Sequence, residues 1–180
     1  MKKNIILISG RGSNLQAILD TIDKKSIIAV MTDNPNAKGL LIAKKYGIET
    51  CVVAKTSDKQ KFKDDLYKKI LFYSPDLLIL AGFMSILSEK IVNDFYPNIL
   101  NIHPSLLPKY KGLMTHKRML INNEIKYGYS IHKVTKYLDD GEILSQNQKN
   151  IYTSSENELS FNHKQLEHQR VFKDLVNFLN

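Results

Sequence analysis

An α/β fold, one domain with a mostly parallel central sheet flanked by helices, follows from three features of the sequence. Short apolar runs alternate with stretches whose apolar residues recur with a period near 3.6. The most uniformly apolar run, residues 77–81, is what a central strand covered on both faces requires. A chain of 180 residues, 43% of them apolar, is long enough to bury a single core.

The run at 4–9, behind Met1-Lys2-Lys3, is too short for a signal-peptide core or a bilayer span and reads as a buried strand. A helix is expected from near Asn14, with Leu15, Ile18, Leu19 and Ile22 on one face and Lys24-Lys25 at its negative end. Residues 27–32 form the next strand, Asp33-Asn34-Pro35 a turn, 38–46 a helix, and 50–53 a third strand. A helix over 59–73, with Phe62, Leu66 and Ile70 inward, is broken by Ser74-Pro75-Asp76 ahead of the strand at 77–81. These first eighty residues have the pattern of a nucleotide-binding half-fold. Beyond them come a short helix at 88–95, a strand at 99–103 and a loop over 104–115 rich in proline and lysine. Strands near 129–134 and 143–152 flank Asp139-Asp140-Gly141, and a helix over 156–179 closes the chain. The sequence holds no repeat, linker or low-complexity stretch.

Composition narrows the functional classes. The single cysteine, Cys51, excludes an internal disulfide or a multi-cysteine metal site and fits a reducing, cytoplasmic setting. The net charge of +8 comes from lysines scattered in ones and twos over helical stretches, a solvated face rather than a nucleic-acid groove. No apolar stretch reaches membrane length, and no histidine spacing resembles a metal site.

Three segments carry chemistry-bearing residues. Gly10-Arg11-Gly12-Ser13-Asn14 lies between the first strand and helix, where glycines turn the backbone and aim N–H groups at an anion such as phosphate. The same residues also suit a plain turn with Ser13 or Asn14 as helix cap. Asn101 and His103, two apart at a strand end, share one face and could stabilise negative charge on a carbonyl oxygen; a strand-end cap and a structural histidine are the alternative. Asp139-Asp140-Gly141 offers either a carboxylate for an imidazole or an ordinary turn. His116 and His132 are further candidates.

Leu7-Ile8-Ser9-Gly10-Arg11-Gly12-Ser13-Asn14-Leu15-Gln16, Leu80-Ala81-Gly82-Phe83-Met84, Asn101-Ile102-His103-Pro104-Ser105-Leu106-Leu107-Pro108, and Asp139 followed by Gly141 occur in that order. Together, over nearly the whole chain, they resemble the phosphoribosylglycinamide formyltransferase family, folate-dependent enzymes of purine synthesis. The resemblance implies a Rossmann-like formyltransferase fold. It implies that residues 1–180 form one formyltransferase domain, with a phosphate-binding half over about 1–80 and a folate and catalytic half over about 81–180. It implies transfer of the formyl group of 10-formyltetrahydrofolate, a co-substrate, to the amine of glycinamide ribonucleotide. The products are formylglycinamide ribonucleotide and tetrahydrofolate, on the route to IMP. The backbone of Gly12, Ser13 and Asn14 would hold the phosphate, and Glu167 the ribose or glycinamide end. Lys59, Met84, Ser85, Ile86, Leu87 and Asn101 would contact the folate, with the turn before Asp139 closing the pterin pocket. Asn101 and a protonated His103 would stabilise the oxyanion, and Asp139 would raise the His103 pKa. The resemblance implies small-molecule partners and neither metal, nucleic acid nor membrane; a homodimer is left open.

Four positions depart from the family pattern: Met114 stands where a polar residue is usual, Ser85 where arginine is, and Lys111 and Glu142 where proline is. The sequence also stops at Asn180, short of the closing strand and tail that many members carry. Asp139→Asn is expected to lower kcat more than it raises KM for either substrate. A turnover number unchanged in steady-state assays would remove Asp139 from the chemistry.

Overall fold

The structure, a computed structural model, describes residues 2–179. In chain order its elements are β1 (Asn4–Ile8), α1 (Ser13–Leu19), β2 (Ile27–Thr32), α2 (Gly39–Lys45), β3 (Thr50–Val52), α3 (Lys59–Tyr73) and β4 (Leu77–Leu80). There follow α4 (Glu89–Phe95), β5 (Ile99–His103), α5 (Thr115–Ile121), β6 (Lys126–Lys133), β7 (Ile143–Asn150) and α6 (Glu156–Leu179). The strands form one seven-stranded sheet in the order β3-β2-β1-β4-β5-β6-β7, parallel through β5 and antiparallel at β6 and β7.

Successive residues of a strand point to opposite faces, and the two faces have separate cores. Ile6 and Ile8 of β1, with Ile79, Leu100 and Tyr129, pack under α1 and α6 through Leu15, Ile18, Leu159 and Leu166. Ile5, Leu7, Leu78 and Leu80 pack on the other side against Phe62, Leu66 and Ile70 of α3 and Ile91 and Val92 of α4. The result is three layers with β1 and β4 at the centre, apolar on both faces as the sequence predicts. Among the described residues no helix is long and apolar enough to cross a membrane.

The chain runs from β1 outward through β2 and β3, then crosses back to place β4 on the other side of β1. The loops leaving the carboxyl ends of β1 and β4 therefore diverge and leave a crevice, the place where open α/β sheets take ligands. Ser9 joins its two sides: its N–H donates to the Gly82 carbonyl at 3.1 Å, and its hydroxyl accepts the Met84 N–H at 2.8 Å.

Two elements differ from expectation. The predicted loop at 104–115 hands over directly to α5, which buries only Thr115 and Met119 and so carries too little apolar periodicity to be read from sequence. β6 begins at Lys126 rather than near 129, because its exposed start is held by pairing with β7, Lys126 opposite Asn150. α6 is tied to β6 by the buried Tyr129, whose hydroxyl donates to Asp174 at 2.7 Å and accepts from Asn147 at 3.0 Å. Tyr129→Phe strips that bridge and is expected to cost about 1–3 kcal/mol in chemical denaturation. A loss within error would mean that the direct Asn147–Asp174 bond, at 2.7 Å, and the apolar contacts hold α6 without the Tyr129 hydroxyl.

Candidate active site

Asn101 and His103 lie at the carboxyl end of β5 with side chains on one face, and the antiparallel register sets His132 of β6 directly across from Asn101. Asp139 enters from the turn after β6 with φ 47°, which aims its carboxylate back at all three. The turn depends on Gly141, where a Cβ would stand 1.8 Å from the Lys133 carbonyl oxygen. Asp139 Oδ2 accepts the Gly112 N–H at 2.8 Å and faces His103 Nδ1 at 3.3 Å, while Oδ1 faces Asn101 Nδ2 at 3.3 Å and His132 Nε2 at 3.5 Å. Burial pushes this carboxyl up, but the His132 contact, the Gly112 N–H and the charge of the two imidazoles outweigh it and hold it below the usual aspartate value.

The histidine tautomers follow from their acceptors. His132 Nδ1 lies 2.8 Å from the Lys133 carbonyl, so Nδ1 carries the proton and Nε2 accepts from the Asn101 amide at 3.0 Å. His103 Nε2 lies 3.0 Å from the Tyr110 carbonyl and Nδ1 faces Asp139, so both nitrogens are satisfied only in the imidazolium. Burial nevertheless pushes its pKa below the ordinary histidine value, and the Tyr110 carbonyl and Asp139 recover only part of that loss. This corrects the expectation that Asp139 lifts His103 above that value. Both amide hydrogens of Asn101 and both ring nitrogens of His103 are engaged within the protein. The 3.3 Å contacts to Asp139 are the long ones, and thus the ones open to exchange for a substrate oxygen.

The loop between β1 and α1 turns at a glycine. Gly12 takes φ 78° as the residue before α1, with no side chain capping the helix, so the first N–H groups of α1 remain for a ligand. The alternative, a side-chain cap from Ser13 or Asn14, is not formed. A Cβ on Gly12 would also stand 2.6 Å from the Gly39 Cα, so the loop packs backbone to backbone on α2. Glu167, buried on α6, meets this loop through Asn14.

The wall after β4 divides. Met84 and Ile86 are exposed on the loop that leaves β4 beside the crevice. The Leu87 side chain is instead buried with the α3–α4 core, which leaves only its backbone toward the crevice side. Ser85 turns inward and donates to Asp33 Oδ2 at 2.6 Å, an oxygen that also pairs with Lys55 at 2.8 Å. Burial pushes the Asp33 carboxyl up, and Lys55, Ser85 and Ser9 together pull it below the usual value. Sequence reading passed over Asp33, whose turn signal hides a buried charge that anchors the wall. Lys59 opens α3, exposed, and no contact among the described residues joins it to the other predicted site residues. Ser130, which no sequence signal marks, accepts from the Leu107 N–H and donates to the Ser105 carbonyl, fixing the loop after His103. Both Leu107-Pro108 and Tyr96-Pro97 are cis.

Residues 2–175 match the formyl transferase family model. The chain is 44% identical over 148 residues to the phosphoribosylglycinamide formyltransferase of Escherichia coli (strain K12), covering 79% of this chain and 70% of that one. It is 35% identical over 153 residues to the trifunctional purine biosynthetic protein adenosine-3 of Drosophila melanogaster, covering 81% of this chain and 11% of that protein. Among solved structures, glycinamide ribonucleotide transformylase 1 from Symbiobacterium toebii superposes with a TM-score of 0.91 at 29% identity, over 99% of this chain and 88% of that one. The phosphoribosylglycinamide formyltransferase of Coxiella burnetii gives 0.88 at 37% identity, over 97% and 85%.

Burial sets how stability responds to pH. His103, His116 and His163 all titrate below 6.5 in the folded chain, with burial the leading cause at each, His163 falling to about 3. A base depressed in this way stabilises the fold fully above its unfolded pKa and loses that contribution as pH falls through the folded one. Glu167 has the opposite sign: burial raises it from 4.5 to about 7, so the folded chain takes up its proton first and gains stability as pH falls between those values. Denaturation midpoints are therefore expected to fall gently from pH 7 to 4.5 and steeply below, where Asp33 and Asp139 protonate as well. Glu167→Gln removes the opposing contribution and steepens the upper part by up to about 1.4 kcal/mol per pH unit. Superimposable profiles for the two proteins would overturn the assignment.

Proposed function

The chain belongs to the formyl transferase family, and on that premise we infer that it transfers the formyl group of 10-formyltetrahydrofolate to the amine of glycinamide ribonucleotide in purine synthesis. The observation that carries the residue-level reading is the convergence of Asn101, His103 and Asp139 at the end of β5, beside the crevice between β1 and β4.

The ribonucleotide phosphate sits on the backbone of Gly12, Ser13 and Asn14, with Glu167 receiving the ribose or glycinamide end. The folate lies along Met84 and Ile86, with Tyr137 and Leu138, both exposed, on the far side. The amine nitrogen attacks the formyl carbon, a C–N bond forms, and the carbonyl oxygen becomes an oxyanion. Asn101 exchanges its 3.3 Å contact to Asp139 for that oxygen and keeps its 3.0 Å bond to His132, so the amide stays oriented while it changes partner. His103 in its charged form supplies the second donor. Asp139, fixed by the Gly112 N–H, compensates that charge. Collapse of the intermediate breaks the bond to N10 of the folate, and the proton lost by the amine reaches N10 through water. No residue of the site is asked to hold a metal. The half-buried thiol of Cys51 suits a cytoplasmic setting.

The test is release of tetrahydrofolate in the presence of glycinamide ribonucleotide. His103→Ala is expected to lower kcat by about 10²–10³, the usual cost of one oxyanion donor. Because His103 acts as a cation, kcat falls as pH rises through its pKa, and Asp139→Asn moves that falling limb to lower pH by removing a group that raises the pKa. Formyl transfer to methionyl-tRNA with none to the ribonucleotide would overturn the substrate assignment.

A further inference from the structure

His116 and His163 have no part in the chemistry above, yet they line up with Glu167, the first pair hydrogen-bonded and the second separated by a short gap. His163 and Glu167 are one turn apart on α6, and His163 Nε2 stands 3.6 Å from Glu167 Oε1. On the other side of the ring, His163 Nδ1 is 2.9 Å from Nε2 of His116 on α5, with the two imidazoles edge to face. His163 is 1% exposed and Glu167 7%, whereas His116 is only partly buried. A line that starts at the anion loop through Asn14 and Glu167 thus ends near solvent at α5.

We propose that His163 and His116 form a proton relay that sets the ionisation of Glu167 as the ribonucleotide binds. The proposal rests on the reading that Glu167 receives that substrate. The 2.9 Å contact needs one ring to donate and the other to accept, so the two tautomers of His163 are tied to the state of its neighbours. With Nδ1–H donating to His116, the bare Nε2 is buried and lacks a hydrogen-bond partner at the 3.6 Å seen here, and a protonated carboxyl of Glu167 supplies one when the two side chains close to hydrogen-bond distance. With Nε2–H facing Glu167, the carboxyl is ionised, and His116 Nε2 carries the proton of the 2.9 Å bond. Passage between the states moves the Glu167 proton to His163 Nε2 and the His163 Nδ1 proton to His116 Nε2. His116, now doubly protonated, releases its Nδ1 proton to solvent. The balance is one proton lost from Glu167 and one gained by water, with His163 neutral before and after. A carboxylate accepts ribose hydroxyl hydrogens at both oxygens, so binding draws the relay into the second state.

Burial prepares the line for this by favouring the neutral forms: it raises Glu167 to about 7 and lowers His163 to about 3. The surrounding groups act on both ends. His103 of β5 disfavours charge on His163, and the Tyr127 ring of β6 lies 5.7 Å from its ring. Lys164 favours ionised Glu167, Arg11 weakens the charge of Lys164, and Glu156 favours charge on His116 while Lys164 opposes it. Tyr129 feels the charge of Glu167 from β6.

The experiment measures KM for glycinamide ribonucleotide and kcat from pH 5.5 to 8.5 in the full chain and in His163→Gln, His116→Gln and Glu167→Gln. Glutamine at 163 can still hydrogen-bond but cannot pass a proton. Both histidine variants are expected to move the inflection in KM to higher pH, raising KM at neutral pH about fivefold for a one-unit shift from about 7, with kcat within about twofold. A profile of KM unmoved in both, while Glu167→Gln raises KM, would overturn the relay and leave the role of Glu167 standing. Unchanged KM in Glu167→Gln would instead overturn the substrate reading beneath it. Nitrogen-15 shifts of the imidazoles in the unsubstituted protein decide the matter independently of variant folding. His163 is expected to change from Nδ1–H to Nε2–H when the ribonucleotide is added, and one tautomer in both states would overturn the proposal.

Discussion

The buried carboxylate of Asp139 is the constraint on which the site depends. A charge removed from water is tolerated only where donors surround it. Here the donors come from two places in the chain: Asn101 and the imidazole of His103 on β5, and the Gly112 backbone in the long loop. Each is positioned by something else. The antiparallel register sets His132 against Asn101, Ser130 and Ser105 fix the loop after His103, and the close approach of Gly141 to Lys133 makes the turn that carries Asp139. The electrostatic need of one side chain thereby couples the edge of the sheet to the loop.

The crevice side has a counterpart in Asp33, also buried and also recruiting distant partners, Lys55 and Ser85. Unlike Asp139, it faces no imidazole, and Lys55 supplies a permanent cation. The contrast separates two uses of a buried carboxylate. One holds its neighbours in a single arrangement; the other sits among groups that change protonation or partner near neutral pH.

Much of this was legible in the sequence, for physical reasons that can be named. Strands β1 and β4 are apolar on both faces, so their runs stand out, and the residues that converge at the site lie in motifs whose order resembles one family. What the sequence hid depends on contacts between distant segments. The run from Met84 to Leu87 looks uniform, but the loop alternates: Met84 and Ile86 face out, Ser85 turns to Asp33, and Leu87 joins the core. α5 buries two residues and gives no period to detect. The depression of His103 by burial outweighs the nearby carboxylate, a balance that adjacency in a motif cannot reveal. The i,i+4 spacing of His163 and Glu167 was visible, but its continuation to His116 needed the packing of α5 on α6.

The central position of β1 also bears on how the chain is made. Of the strands of this sheet β1 is made first, and β2 can join it early, but its other neighbour, β4, begins at Leu77. At a synthesis rate of about 5–20 residues per second, one edge of the strand stays open for several seconds. During that interval Asn4–Ile8, the run buried on every side in the finished protein, is an unpaired apolar edge open to other nascent chains. The topology that creates the crevice therefore sets the longest wait of any parallel pairing in the sheet, and the crevice itself forms only when that wait ends.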